Sequence, residues 1–171
     1  MKLNIGSNTQ RHNGFLNLDM RDCAGVDIVD DAATLSSIED GSCSAIVAHN
    51  ILEHFSYDRT LDVLGVWVSK LQRGGVLSVG VPDAELIFDR YKAGKITRGK
   101  YRHAWDDLNH SLFGNMDLLR SWHGEDADKY GHHAVFCEDS LRHAMESCGL
   151  TDIRKVKANH PDNITLEGVK A

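Results

Sequence analysis

Two kinds of segment alternate along most of the chain. Short apolar or β-branched runs stand at Leu3–Ile5, Phe15–Leu18, Val26–Val29, Ala45–Ala48 and Val76–Val81. Several are apolar almost without a break, the pattern of strands covered on both faces of a parallel sheet. Between the fourth and fifth runs the period lengthens to that of a helix. Leu61, Leu64, Val68 and Leu71 form one stripe, Ser56 or Asp58 can cap its start, and Lys70 and Arg73 load its last turn before Gly74-Gly75. A second helix is predicted after Asp83, carrying Leu86, Ile87 and Tyr91 before Gly94. A third covers 140–148, where Leu141, Ala144, Met145 and Cys148 recur at helical spacing. Two more strands, near 152–157 and 164–169, flank Asn159-His160-Pro161-Asp162-Asn163, whose turn chemistry lets them pair as a hairpin. Strands alternating with helices predict an α/β sheet with right-handed crossovers.

Two stretches break the pattern. Residues 6–14 separate the first two strands and 19–25 the next two, too few for a parallel crossover with a full helix, which needs about a dozen. Reduced helices are expected there. Residues 95–135 are polar, weakly periodic and rich in rings: Tyr101, Trp105, Phe113, Trp122 and Tyr130, with His103, His110, His123, His132 and His133. With no repeat or linker nearby, 1–171 reads as a single domain in which 95–135 is an insertion capping the substrate, its aromatics forming apolar walls.

Charge narrows the partners. The net charge is −6, with 19 basic and 25 acidic residues, so the broad positive field of a nucleic-acid binder is missing and no such partner is expected. No apolar run approaches the roughly 18 residues of a membrane span, and the first residues turn polar too soon for a secretory leader, so a cytoplasmic protein without membrane contact is expected. Four dispersed cysteines lack the Cys-x-x-Cys spacing of zinc ribbons or redox sites. His49 and His54 are five apart and His132 and His133 adjacent, spacings that share no helix face, so no metal site is expected.

In an open α/β sheet, ligands bind beyond the carboxyl ends of the strands. The residues found there are Gly6-Ser7-Asn8, Asp19-Met20, Asp30-Asp31-Ala32, His49-Asn50-Ile51-Leu52-Glu53-His54 and Pro82-Asp83. Gly6 and Asn8 suit a tight turn close to a ligand. Asp19 is placed to accept hydrogen bonds from a diol, and Asp31 to accept from an amino group. Asp83 suits the cap of the next helix.

These residues make the chain resemble the class I S-adenosylmethionine-dependent methyltransferases, in particular the small predicted SAM-dependent or type 11 group. The resemblance is carried by Leu3-Asn4-Ile5-Gly6-Ser7-Asn8, Gly14-Phe15-Leu16-Asn17-Leu18-Asp19, Val26-Asp27-Ile28-Val29-Asp30-Asp31-Ala32, Ile51-Leu52-Glu53-His54-Phe55, Leu71-Gln72-Arg73-Gly74-Gly75-Val76-Leu77 and Val81-Pro82-Asp83. Asn8 stands where the family usually has a second glycine. The resemblance implies a Rossmann-like sheet of order 3-2-1-4-5-7-6 with the last strand antiparallel, and S-adenosyl-L-methionine as cofactor. It implies Gly6, Ser7 and Asn8 against the methionine part, Asp19 on the ribose, Met20, Asp31 and Ala32 around the adenine, and His49 and Asn50 beneath the sulfonium. O- or N-methylation of a small-molecule or glycan acceptor follows, by a monomer or homodimer. His54, His132 and His133 are the candidate bases, since imidazole titrates near neutrality. The alternative is a non-catalytic SAM- or nucleotide-binding module of the same fold. A dinucleotide oxidoreductase is disfavoured because 6–11 read Gly-Ser-Asn-Thr-Gln-Arg rather than Gly-x-Gly-x-x-Gly.

Overall fold

The computed structural model describes residues 1–8, 11–96 and 104–171. Its strands are β1 (Lys2–Ile5), β2 (Leu16–Asp19), β3 (Ile28–Val29), β4 (Cys43–His49), β5 (Leu71–Pro82), β6 (Leu150–Val156) and β7 (Asn163–Lys170). They form one sheet in the order β3-β2-β1-β4-β5-β7-β6. The first five run parallel, and β7 is antiparallel to both β5 and β6. The expected order and the terminal hairpin are both present.

The two faces of the sheet differ. Leu3 and Ile5 of β1, Leu18 of β2, Ile46 and Ala48 of β4, and Leu77 and Val79 of β5 are fully buried and share one core. Helix α1 (Thr60–Lys70) gives Val63, Leu64, Trp67 and Val68 to it, and α5 (Glu138–Ser147) gives Leu141, Ala144 and Met145. The opposite face is polar. The Asn4 amide donates to Asn17 Oδ1 (3.0 Å), whose own amide nitrogen donates to Asp27 Oδ2 (3.0 Å). The 11–15 segment lies over this side, with the His12 ring edge-on to both Phe15 and His49, and Lys2 Nζ 5.6 Å from the centre of the Phe15 ring. The expectation of strands apolar on both faces is therefore corrected for β1 and β2. Their alternation buries Leu3, Ile5 and Leu18 on one side and hydrogen-bonded Asn4 and Asn17 on the other, so that side needs no helix. No helix stands between β1 and β2, or between β2 and β3, among the described residues.

Other boundaries also shift. α1 ends at Lys70, and Leu71 already pairs with Cys43 in the sheet. Gly74-Gly75 belongs instead to an irregularity in β5: a Cβ on Gly75 would stand 2.9 Å from the Gln72 carbonyl and 3.0 Å from that of Cys43. Leu61 lies half exposed, with Val63 and Trp67 taking the buried stripe. Ser56 and Asp58 hydrogen-bond each other ahead of α1, and neither caps it.

The 95–135 insertion is not irregular. It holds α3 (Ala104–Phe113), α4 (Met116–His123) and a 3-10 stretch, Gly124–Tyr130. Asn115 caps α4 by accepting from the Leu118 N–H (3.0 Å). Asp83 caps α2 (Ala84–Lys92) through the Leu86 N–H (3.3 Å), as its position suggested. α2 and α3 pack through a small separate core of Ala84, Ile87, Ile96 and Leu112. Tyr101 and His103 lie outside the described residues, as do the side chains of Trp105 and Trp122. No helix among the described residues is long and apolar enough to cross a membrane.

Candidate functional site

The strand order sets the carboxyl ends of β3, β2, β1, β4 and β5 side by side, so the predicted residues fall along one arc. Gly6 adopts φ +65° where the chain leaves β1, and a Cβ there would stand 2.9 Å from the Ile51 side chain. Only glycine lets the turn pass under the loop that follows β4. Asn8 is left-handed as well, at φ +48°, and its N–H donates to Asp19 Oδ2 (2.8 Å). Ser7 is buried, its N–H on the Leu18 carbonyl (3.1 Å).

Asp19 is 5% exposed and well supplied with donors. Besides Asn8, Oδ1 accepts from the Arg21 N–H (3.1 Å) and Nε (3.0 Å). Burial alone would raise its pKa; the bonds from Arg21 and Asn8 outweigh burial and hold the carboxyl below its usual range. Arg21 was not anticipated, since two-residue spacing after a strand has no sequence signature. Met20 is 65% exposed beside it. Asp31 is exposed and its Oδ1 accepts from the Ala33 N–H (2.8 Å), while the buried Ala32 presents its carbonyl to the Trp67 indole N–H (2.7 Å).

His49, at the end of β4, lies across Gly80 with Nε2 3.2 Å from Ser78 Oγ. Burial, helped by the neighbouring His12, pushes it down to about 4, so it is neutral at ordinary pH. Asn50 is left-handed, at φ +57°, and its Oδ1 accepts from the amides of Asn159 (3.1 Å) and Asn163 (3.0 Å) in the hairpin turn. Asn50 also lines a cleft of about 220 Å³ closed by His110, Asn115, His132, His160 and Asp162. Among the described residues, none of the expected aromatic walls lines it. Phe113 points to solvent, and Tyr130 stacks on His123 with ring centres 3.7 Å apart.

Of the three candidate bases, the fold brings two together. The His54 and His132 rings meet edge to face with centres 5.0 Å apart. His54 Nδ1 lies 3.2 Å from the Gly131 carbonyl, and His132 Nδ1 2.9 Å from that of Leu112. Burial lowers both pKa values, that of His132 to about 4 with the His54 ring adding to the effect. His133 does not join them: its side chain is exposed, and it serves through its N–H, which with that of Ala134 binds the Glu53 carbonyl (2.7 and 3.2 Å). Glu53 is the residue whose importance the motif concealed. It is 1% exposed, and neither carboxyl oxygen has a hydrogen-bond partner among the described residues. Burial pushes it up to about 8. One of its oxygens, a ring nitrogen of His54 and one of His132 all lie within 4.8 Å of one another.

Sheet order, hairpin and strand-end arc together are the fold of the class I S-adenosylmethionine-dependent methyltransferases. Among solved structures, a SAM-dependent methyltransferase from Thermotoga maritima superposes with a TM-score of 0.63 at 15% identity, over 99% of this chain and 82% of that one. One from Archaeoglobus fulgidus gives 0.60 at 13%, over 99% and 85%. The 1,6-didemethyltoxoflavin-N1-methyltransferase of Burkholderia thailandensis, solved with bound 1,6-didemethyltoxoflavin and S-adenosylhomocysteine, gives 0.61 at 13%, over 99% and 70%. No family model matches the chain, and no curated protein sequence does.

Proposed function

We propose that the chain transfers a methyl group from S-adenosyl-L-methionine to an oxygen or nitrogen of a polar small-molecule or sugar-type acceptor. The observation that carries this is Asn50, which sits both on the strand-end arc and in the wall of the cleft lined by His110, His132 and His160. The donor set on the arc fits the cofactor. Each Asp19 oxygen has two lone-pair directions, so both can accept from a ribose diol while Oδ2 keeps the Asn8 N–H, once the half-exposed Arg21 side chain turns away. Met20, Asp31 and Ala32 would flank the adenine, Gly6, Ser7 and Asn8 the methionine part, and His49 and Asn50 the region of the sulfonium.

The cofactor supplies a methyl carbon on a sulfonium leaving group, which leaves the protein mainly to position and to exclude water. The cleft performs the positioning: the amides and imidazoles of its wall offer hydrogen bonds, and the rest of its lining offers apolar contact to the body of an acceptor. His132 in that wall, with His54 behind it, is where an acceptor's proton would be handled. The 95–135 segment serves as the cap within a single domain of 1–171, tied down where Glu53 receives His133 and Ala134. The charge of −6 supports an acceptor other than nucleic acid.

Calorimetric titration with S-adenosylhomocysteine tests the reading. Wild type binds it and does not bind NAD, and Asp19→Asn, which keeps an acceptor for Asn8, binds at least tenfold more weakly, about 1.4 kcal/mol. Absence of binding to wild type overturns the proposal, and equal affinity in the variant overturns the role of Asp19. A non-catalytic module draws support from the existing Asp19–Arg21 pair. It predicts the same binding with no methyl transferred to any acceptor in a radiolabel screen.

A further inference from the structure

We propose that Glu53, His54 and His132 bind a divalent transition-metal ion, Zn²⁺ being the best match. Three Lewis-basic groups converge here, with the Asn50 side chain the one donor group beside the Glu53 carboxyl. Each imidazole has Nδ1 against a backbone carbonyl, Gly131 for His54 and Leu112 for His132. A carbonyl only accepts, so the proton of His132 sits on Nδ1 and its Nε2 keeps a lone pair; a metal at His54, whose ring also meets the Tyr130 and Asn50 backbone, requires the same tautomer there. Metal-binding histidines are oriented in this way by outer-shell carbonyls. In that tautomer neither ring donates to a Glu53 carboxylate, whose two oxygens are buried and lack a close hydrogen bond among the described residues, with the Asn50 side chain near them. Leaving a carboxylate so placed costs several kcal/mol, and a proton on it can bridge to one ring at most, leaving the other without a partner. A cation satisfies all three at once.

The donor chemistry selects the ion. Two imidazoles and one carboxylate form the borderline set of open zinc sites, whereas Mg²⁺ and Ca²⁺ call for oxygen ligands. The ligand atoms lie within 4.8 Å of one another, against about 3.3 Å for donors bound 2.0–2.1 Å from a tetrahedral centre, so side-chain rotations of about an ångström close the site. Two further features support it. The bonds from His133 and Ala134 to the Glu53 carbonyl hold the two halves of the cluster, 78 residues apart in sequence (132 − 54), in register. His132 also lines the cleft, so the ion sits at the boundary between core and cleft with a fourth position open to water or an acceptor atom. A metal there favours loss of the acceptor's proton without either imidazole taking it up. The binding site stands on its own geometry, whether or not the chain transfers methyl groups.

The test is binding, read on the full chain after chelator treatment and desalting. Titration with Zn²⁺ is expected to give one equivalent per chain and a raised melting temperature. Co²⁺ is expected to give the visible absorption of a low-symmetry, four- or five-coordinate site. Glu53→Gln, His54→Gln and His132→Gln are each expected to weaken Zn²⁺ at least tenfold and to change the Co²⁺ spectrum. His133→Gln, whose side chain is outside the cluster, is expected to leave both intact. If a variant fails to fold, the Co²⁺ spectrum of the wild type and the ¹⁵N shifts of its two Nε2 atoms on adding Zn²⁺ decide the matter. Octahedral, all-oxygen Co²⁺ absorption, unmoved Nε2 resonances, or Zn²⁺ affinity unchanged in folded variants overturns the proposal. Because S-adenosylhomocysteine binding is measured separately, failure of one reading leaves the other standing.

Discussion

Gly6 joins two demands at a single residue. Its φ of +65° costs an L-residue about 1 kcal/mol, and the methyl group of alanine would overlap the Ile51 side chain at 2.9 Å. Gly6→Ala is expected to lower stability by roughly 2–3 kcal/mol, read from the denaturant midpoint; a loss under about 0.5 kcal/mol would mean that Ile51 gives way freely. Gly6 could be singled out in the sequence because a glycine ending an apolar run has a restricted set of uses. Asp19 and Asn8 were legible for the same reason, each being a polar residue at a strand end. Glu53 and Arg21 were not. The importance of Glu53 rests on what fails to reach its carboxyl oxygens, and Arg21 matters only because its side chain folds back onto Asp19. Local spacing encodes neither fact. The two histidines of the cluster show the same limit from the other side: adjacency sends His132 and His133 apart, correctly, while their relation to His54 depends on a clamp that closes far along the chain.

Among the elements, α1 links the core to the site. Trp67 is fully buried, yet its indole N–H reaches the carbonyl of Ala32 in the turn after β3 (2.7 Å). Trp67→Phe keeps an aromatic ring but strands that carbonyl and leaves a gap, at a cost of about 2–3 kcal/mol. Chemical denaturation measures the cost, and a change within about 0.5 kcal/mol would show that the carbonyl finds water. The helix itself was legible from its stripe, but its end was not. A Gly-Gly pair after an apolar period reads as a helix stop, whereas here it lets β5 approach the Cys43 carbonyl. Both uses draw on the missing side chain, and only the neighbouring strand tells them apart. α3 and α4 carry a helical period, Leu108 with Leu112 and Met116 with Leu119, but the interleaved histidines and acids of the 95–135 stretch masked it.

For the molecule as a whole, proton binding follows from what the sheet buries. His49 is faced by the His12 ring and by Glu167, with burial dominant, and its folded-state pKa is about 4 against about 6.5 in an unfolded chain. Below pH 6.5 the unfolded chain takes up a proton that the folded one refuses, so the contribution of a neutral His49 is full above that pH and is lost as pH falls towards 4. The stability difference between wild type and His49→Gln is expected to shift against wild type between pH 7 and 4.5 in parallel denaturation curves. A difference constant with pH would count against the burial of that ring. Alternation and turn chemistry made the α/β class and the terminal hairpin legible at this scale, while the order of the strands came from the family resemblance. The chemistry of the second face was not legible, because Leu-Asn-Ile and Leu-Asn-Leu look apolar when counted and polar only when their sides are separated.

That second face also bears on how stability varies with temperature. Hydrating apolar surface raises the heat capacity of the unfolded chain by about 0.45 cal/K/mol per Å², and hydrating polar surface lowers it by about 0.26. Unfolding the layer of Asn4 and Asn17 returns buried amides to water, where a helix-covered sheet would return methyl groups. The curvature of the free energy with temperature is reduced accordingly, and the chain exchanges height at its optimum for breadth around it.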